Sequence, residues 1–122
     1  MKIIEALNSQ TRTLVIVGAG GLGTEYTWVA EGMNAAAERD GAPRRPWQIL
    51  GYADDAPEKR GTSLGRYLVY GTIRETAEKL AGQDVAFAVA VGDNYTRETL
   101  VRAAEAAGWG PATLVHPSVI AE

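Results

Sequence analysis

The 122 residues are 46% hydrophobic and 22% charged, enough for one compact α/β domain and too few for two. A formal charge of −3, from 12 basic and 15 acidic residues without a basic run, argues against a nucleic-acid partner. The absence of cysteine excludes disulfides, thiolate metal sites and a cysteine nucleophile.

"MKIIEALNSQTR", residues 1–12, is expected to be an N-terminal extension; it lacks the apolar core and cleavage site of a leader. No apolar run approaches the roughly 18 residues of a membrane span. A cytoplasmic protein with no membrane partner is expected. "TLVIV", 13–17, is short, apolar and β-branched, which predicts a buried parallel strand. A glycine-rich loop follows. Tyr26, Val29, Ala30, Met33 and Ala37 then recur at helical spacing, predicting a helix from about Thr24 to Arg39. "DGAPRRP", 40–46, reads as loop, and "WQILGY", 47–52, as a second strand leading to Asp54 and Asp55. The polar, glycine-containing stretch 56–66 reads as a long loop, and "YLVYG" as a short third strand. A helix should follow, N-capped by Thr72 and with Gly82 just past its end. "VAFAVAV", 85–91, is the most hydrophobic strand and is expected to be central. Asn94 is expected to cap a last helix reaching about Ala107, with Gly108 after it and "ATLVH" as the final strand.

Strands alternating with helices imply a small doubly wound, Rossmann-like α/β domain over residues 13–115, with a mainly parallel sheet and right-handed crossovers. Ligands of such folds lie at the carboxyl ends of the strands, where the strand order reverses. That rule selects the loop at 18–23, the pair at 54–55 and "GDNYTR" at 92–97, and predicts one pocket lined by all three. The loop reads G-x-G-x-x-G: Gly18 for the tight turn, Gly20 for close approach of a phosphate, Gly23 for helix–strand packing. Backbone N–H groups at the helix start then favour an anion. The alternative is a glycine-rich turn that holds nothing. No Lys-Ser or Lys-Thr follows, so the loop is not a Walker loop.

Asp54 and Asp55 can accept from ribose hydroxyls or a base N–H, Asp54 being expected to face the pocket; Asp-Asp before Ala-Pro is also good turn chemistry. With Asn94 as cap, Arg97 falls in a helical first turn, where the dipole disfavours a cation. A residue placed against a local rule can be serving a ligand anion, or can be a surface arginine paired with Asp93 or Glu98. His116 is the single histidine, with no ligand or nucleophile partner at metal-site or catalytic spacing, and Ser118 has no base beside it. Catalysis by this chain alone and a metal site are therefore not expected. Trp28 lies roughly opposite the apolar stripe of its helix, as a subunit contact or as an isolated surface aromatic.

"LVIVGAGGLGTE", "ILGYADD", "YGTI", "VAFAVAVGDNYTR" and "ATLVHPSVIAE", in this order, resemble the N-terminal domain of the PglD/NeuD family, the sialic-acid O-acetyltransferases and bacillosamine-type N-acetyltransferases. The resemblance runs from about Thr13 to Ala121. It implies a Rossmann-like domain that binds a nucleotide-activated amino sugar, followed by a hexapeptide-repeat β-helix that binds acetyl-CoA, carries the catalytic histidine and forms a trimer. Gly20, Gly21 and Leu22 would then lie against the pyrophosphate or sugar. Asp54 and Asp55 would contact the uridine, and Gly92, Asn94 and Arg97 would complete the pocket. Two departures stand out. The family motif usually reads G-A-G-G-H-G, and Leu22 stands where that histidine would be. Residues 116–122, "HPSVIAE", fall where the first β-helix coil would begin, so the acetyl-CoA site is expected outside this sequence and no cofactor within it. The readings carried forward are a UDP-sugar-binding domain of such an acetyltransferase, a nicotinamide- or CoA-binding module, and a ligand-free interaction or regulatory domain.

Overall fold

A computed structural model describes residues 11–115. Six strands form one sheet in the order β3-β4-β2-β1-β5-β6. In chain order the elements are β1 (Arg12–Val17), α1 (Gly21–Arg39), β2 (Trp47–Ala53), a short 3-10 turn (Pro57–Lys59), β3 (Ser63–Leu64) and β4 (Tyr67–Val69). Then follow α2 (Ile73–Lys79), β5 (Val85–Val89), α3 (Asn94–Ala106) and β6 (Gly110–Pro111). All neighbouring strands are parallel except β3, which runs antiparallel to β4.

β1 shows why the sheet needs cover on both faces. Its last four residues are fully buried, and strand geometry turns alternate side chains to opposite sides. Leu14 and Ile16 enter a cluster with Ala30 of α1, Tyr52 and Ala86; Tyr26 and Met33 of α1 pack against it. Val15 and Val17 enter a second cluster with Ile73 of α2, Phe87 and Ala104 of α3. One helix on one face and two on the other make the doubly wound, Rossmann-like arrangement that the alternation of elements implied.

Side chains fix how α1 lies. Asn34 donates to the carbonyl of Trp47 at 2.8 Å and accepts from its N–H at 3.0 Å, tying the helix to the start of β2. Buried Thr27 meets the Tyr52 hydroxyl at 3.1 Å. Thr72 caps α2, as its residue type led one to expect, and does so through a reciprocal capping box with Glu75.

The hairpin of β3 and β4 is pinned to α1 by the Tyr67 hydroxyl, which donates to Glu31 Oε2 at 2.7 Å. Burial, then the bond to Glu31 and its negative charge, push the Tyr67 pKa from 10.0 up to about 12. A phenol held protonated by the fold contributes stability that is complete below its unfolded value of 10.0 and is lost as pH rises through about 12. Urea unfolding midpoints are therefore expected to fall across this window, and Tyr67→Phe should flatten that fall; an unchanged alkaline slope in the variant would contradict the pinning role.

The boundaries differ from the sequence expectations at several places. β1 starts at Arg12 rather than Thr13, and α1 starts at Gly21 rather than near Thr24, with Gly20 as its extended N-cap and both Gly21 and Gly23 inside its first turn. The stretch 56–66 contains the 3-10 turn and β3, both too short to show a period. β5 lies between β1 and β6, one place from the edge, and β1 and β2 hold the centre. Hydrophobicity reported its burial on both faces, which does not reveal strand order. The last strand is Gly110–Pro111, not "ATLVH": the Ala112 N–H still donates to the Phe87 carbonyl at 2.8 Å, but Leu114 packs into the α1-side cluster rather than extending the ladder.

Candidate functional site

The site starts from the turn that carries β1 into α1. Gly18 has φ +111°, and a Cβ there would sit 2.8 Å from the Ala90 carbonyl oxygen. A Cβ on Gly23 would run into the Gly18 carbonyl oxygen and come within 3.0 Å of the Tyr52 ring. These two glycines are required by packing alone. Gly20 and Gly21 differ: nothing lies within 4 Å of where their Cβ atoms would be. Gly20 is the extended N-cap of α1, makes no side-chain capping bond, and no acidic residue occupies the first turn. The backbone at the positive end of a 19-residue helix is thus open on the side away from the core. Leu22 is half-buried and packs against the α1-side cluster, so it serves the core.

The end of β2 holds this turn in place. Asp54 Oδ2 accepts from the Ala19 N–H at 2.8 Å, and its Oδ1 accepts from the Ala56 N–H at 2.9 Å. Lys59, from the 3-10 turn, donates to the Ala19 carbonyl at 3.0 Å and lies 3.7 Å from Asp54 Oδ2. Both polar groups of the Ala19 main chain are therefore gripped by side chains from one segment. Asp54 acts as the tether of the glycine loop, whereas Asp55 beside it is exposed.

A crevice of about 190 Å³ lies beyond the carboxyl ends of β1, β2 and β5, walled by Gly18, Asp54, Asp55, Val91 and Thr96 among others. This is where the strand order reverses, since β1 leads to β2 on one side and β5 lies on the other. The three segments picked from the sequence thus do meet, although not through every residue named. Gly92, before α3, and Asn94, its first residue, are exposed and do not wall this crevice, and of the glycine loop only Gly18 does. Arg97 faces another space, a groove with Tyr26, and reaches the Val91 carbonyl and the Tyr26 hydroxyl at 3.4 Å each.

Asn94 is not the cap of α3. Asp93 is, accepting from the Thr96 N–H at 2.8 Å and the Thr96 hydroxyl at 2.7 Å, and these bonds hold its carboxyl below the usual range. A carboxylate one residue earlier matches the N–H at the third helical position and the positive helix end better than a neutral amide does. Lys59 and Thr96 were not singled out from sequence. Lys59 sits in a polar stretch with no pattern, while Thr96 was legible only as the third residue after Asp93. Among the described residues no three His, Asp or Glu side chains are placed to hold a metal ion. His116, Ser118 and the expected β-helix start lie outside the described residues, as do residues 1–10 of the expected extension. No helix among the described residues is long and apolar enough to cross a membrane. Trp28 is 60% exposed on α1.

A parallel sheet wound on both faces, with a glycine turn opening a helix at the point of strand reversal, defines a small Rossmann-like domain. Residues 13–104 match the family described as the PglD N-terminal domain, and the chain belongs to that family. Among solved structures it is similar to the acetyltransferase domain of PglB from Neisseria gonorrhoeae FA1090 in complex with acetyl coenzyme A. Identity there is 31% and the TM-score 0.60, over 88% of this chain and 45% of that one. A second structure of the same PglB acetyltransferase domain matches at 32% identity and a TM-score of 0.59, over 87% of this chain and 45% of that one. The chain thus spans less than half the length of these relatives. Curated protein sequences give no match.

Proposed function

We propose that this chain binds a nucleotide-activated sugar, a UDP-sugar, as the substrate-binding domain of a PglD/NeuD-like acetyltransferase. The observation that carries this reading is the open backbone at Gly20 and Gly21, on an uncapped helix start beside the Asp54–Asp55 crevice. Amide N–H groups there suit a diphosphate. Asp55, with its carboxylate exposed, suits ribose hydroxyls or a base N–H, while Asp54 keeps the loop in the shape that receives the phosphates. Acetyl-CoA and the chemical step belong to the remainder of such an acetyltransferase, a hexapeptide-repeat domain as partner, consistent with relatives twice as long whose solved form holds acetyl coenzyme A.

Thermal unfolding with UDP, UDP-N-acetylglucosamine, NADH and acetyl-CoA tests it. A ligand at 100 times its Kd adds about 2.7 kcal/mol, a rise on the order of 10 °C for a domain of this size. The rise is expected with the uridine nucleotides. It should vanish in Gly20→Asp, which supplies the missing cap and fills the anion position with a carboxylate while leaving the fold at least as stable. A rise with NADH or acetyl-CoA alone would favour a nicotinamide or CoA module. No rise with any ligand would make the loop a plain turn in an interaction domain, a reading that the core-facing Leu22 supports.

A further inference from the structure

A space larger than the crevice beside the glycine loop lies elsewhere on the domain. It is a groove of about 460 Å³, bounded by α1 at Tyr26 and Val29, by α3 at Arg97 and Val101, and by the segment 111–114. Its floor is the end of β5, and it exists because β6 pairs with β5 only at Ala86 and Phe87. Its volume lies within the range of about 300–1,000 Å³ typical of small-molecule sites, which the crevice does not reach.

The groove's chemistry is uneven. Val29, Ala88, Val89, Val101 and Leu114 make most of the wall apolar. Arg97 is set into it from the first turn of α3, where the helix dipole opposes a cation. Its guanidinium reaches two neutral oxygens, the Val91 carbonyl and the Tyr26 hydroxyl, both at the long distance of 3.4 Å. Among the described residues no carboxylate pairs with it; the nearby Glu98 is taken by Arg102 at 2.6 Å and Asp93 by Thr96. A fork of N–H donors beside an apolar wall complements one ligand chemistry in particular, an anion that accepts two bonds and carries an apolar body.

We propose that this groove binds a small organic carboxylate. The carboxylate meets the Arg97 guanidinium and the Tyr26 hydroxyl, and the apolar body lies along Val89, Val101 and Leu114. The site is separate from the glycine loop and stands or falls independently of the nucleotide reading.

Titration of the isotope-labelled chain with hexanoate, followed through backbone amide chemical shifts, tests this, with hexanamide and inorganic phosphate as comparisons. Saturable shifts at Ala88, Val89, Val101 and residues 112–114 are expected with hexanoate. Hexanamide, isosteric and neutral, should bind about tenfold more weakly, since a charge-assisted pair is lost. Phosphate, lacking the apolar body, should not saturate at accessible concentrations. Arg97→Gln should bring hexanoate to the level of hexanamide, and Arg97→Lys should keep part of the difference. Equal titration by hexanoate and hexanamide, equal titration by phosphate, shifts scattered outside the groove, or an unaltered Arg97→Gln would each overturn the proposal.

Discussion

Gly23→Ala is expected to destabilise the domain by roughly 3 kcal/mol, the upper part of the usual overpacking range, and to lower Tm by about 10 °C. On helix propensity alone the change should help, because alanine is favoured over glycine within a helix by up to about 1 kcal/mol. The packing reverses that sign. The added methyl would meet the Gly18 carbonyl oxygen, which is main chain at a turn already fixed by the Gly18 N–H bond to Ala53 at 2.8 Å. It would also press on the Tyr52 ring, one of the largest fully buried side chains, whose hydroxyl is engaged by Thr27. Neither neighbour can give way cheaply. Gly21→Ala, two residues earlier in the same helix, meets nothing within 4 Å and serves as the control, with stability unchanged or slightly raised. Calorimetric Tm values for the two variants decide the matter; equal effects would mean that the contact around Gly23 does not control the crossing of strand and helix.

The second large effect is expected at Asp54. Its two carboxylate oxygens each satisfy a main-chain N–H, from Ala19 and Ala56, and hydrogen bonds to a charged group are worth about 1.5–3 kcal/mol each. Asp54→Ala removes both acceptors and leaves Lys59 without the carboxylate 3.7 Å away. A loss of roughly 3 kcal/mol should follow, with faster hydrogen exchange at the Ala19 amide as its local signature. Asp54→Asn keeps one acceptor oxygen and should fall between the two. Since Asp54 shapes the glycine loop, its loss is also expected to abolish the response to uridine nucleotides. Asp55→Ala should weaken that response with almost no change in Tm, because Asp55 is exposed. Equal stability losses at the two positions would remove the distinction between tether and ligand contact.

That distinction marks how far the residues could be read in advance. The strand–glycine turn–helix unit was legible because a β-branched run, three spaced glycines and a 3.6-residue apolar repeat are each local signals that agree. Thr72 was legible as a cap from its residue type ahead of a helical run, while its capping box with Glu75 is a finding of the structure. The division of labour between Asp54 and Asp55 was not legible: the sequence reading turns Asp54 to the pocket as a ligand contact, whereas the Ala19 amide, 35 positions away, makes it the tether of the loop. Arg97 is legible as a cation in an unusual place, but which space it faces depends on how α1 and α3 flank the end of β5. Its partner Tyr26 had already been assigned to the apolar face of α1. Leu22 shows the same limit: sequence registers what the side chain is not, while packing shows it turned to the core.

The sheet ends in strands of only two residues on both sides, β3 and β6, and the second of these finishes at Pro111. An exposed strand edge is a template for another chain, and the hazard grows with its length and with its run of free N–H donors. Here one edge is a clipped hairpin with Arg66 at its turn, and the other offers a proline that has no N–H to give. Among the described residues, neither outermost strand presents a ladder long enough to recruit a foreign strand. A domain whose strands β1 and β5 are nearly continuous in apolar residues thus ends its described sheet in strands too short to template a fibre.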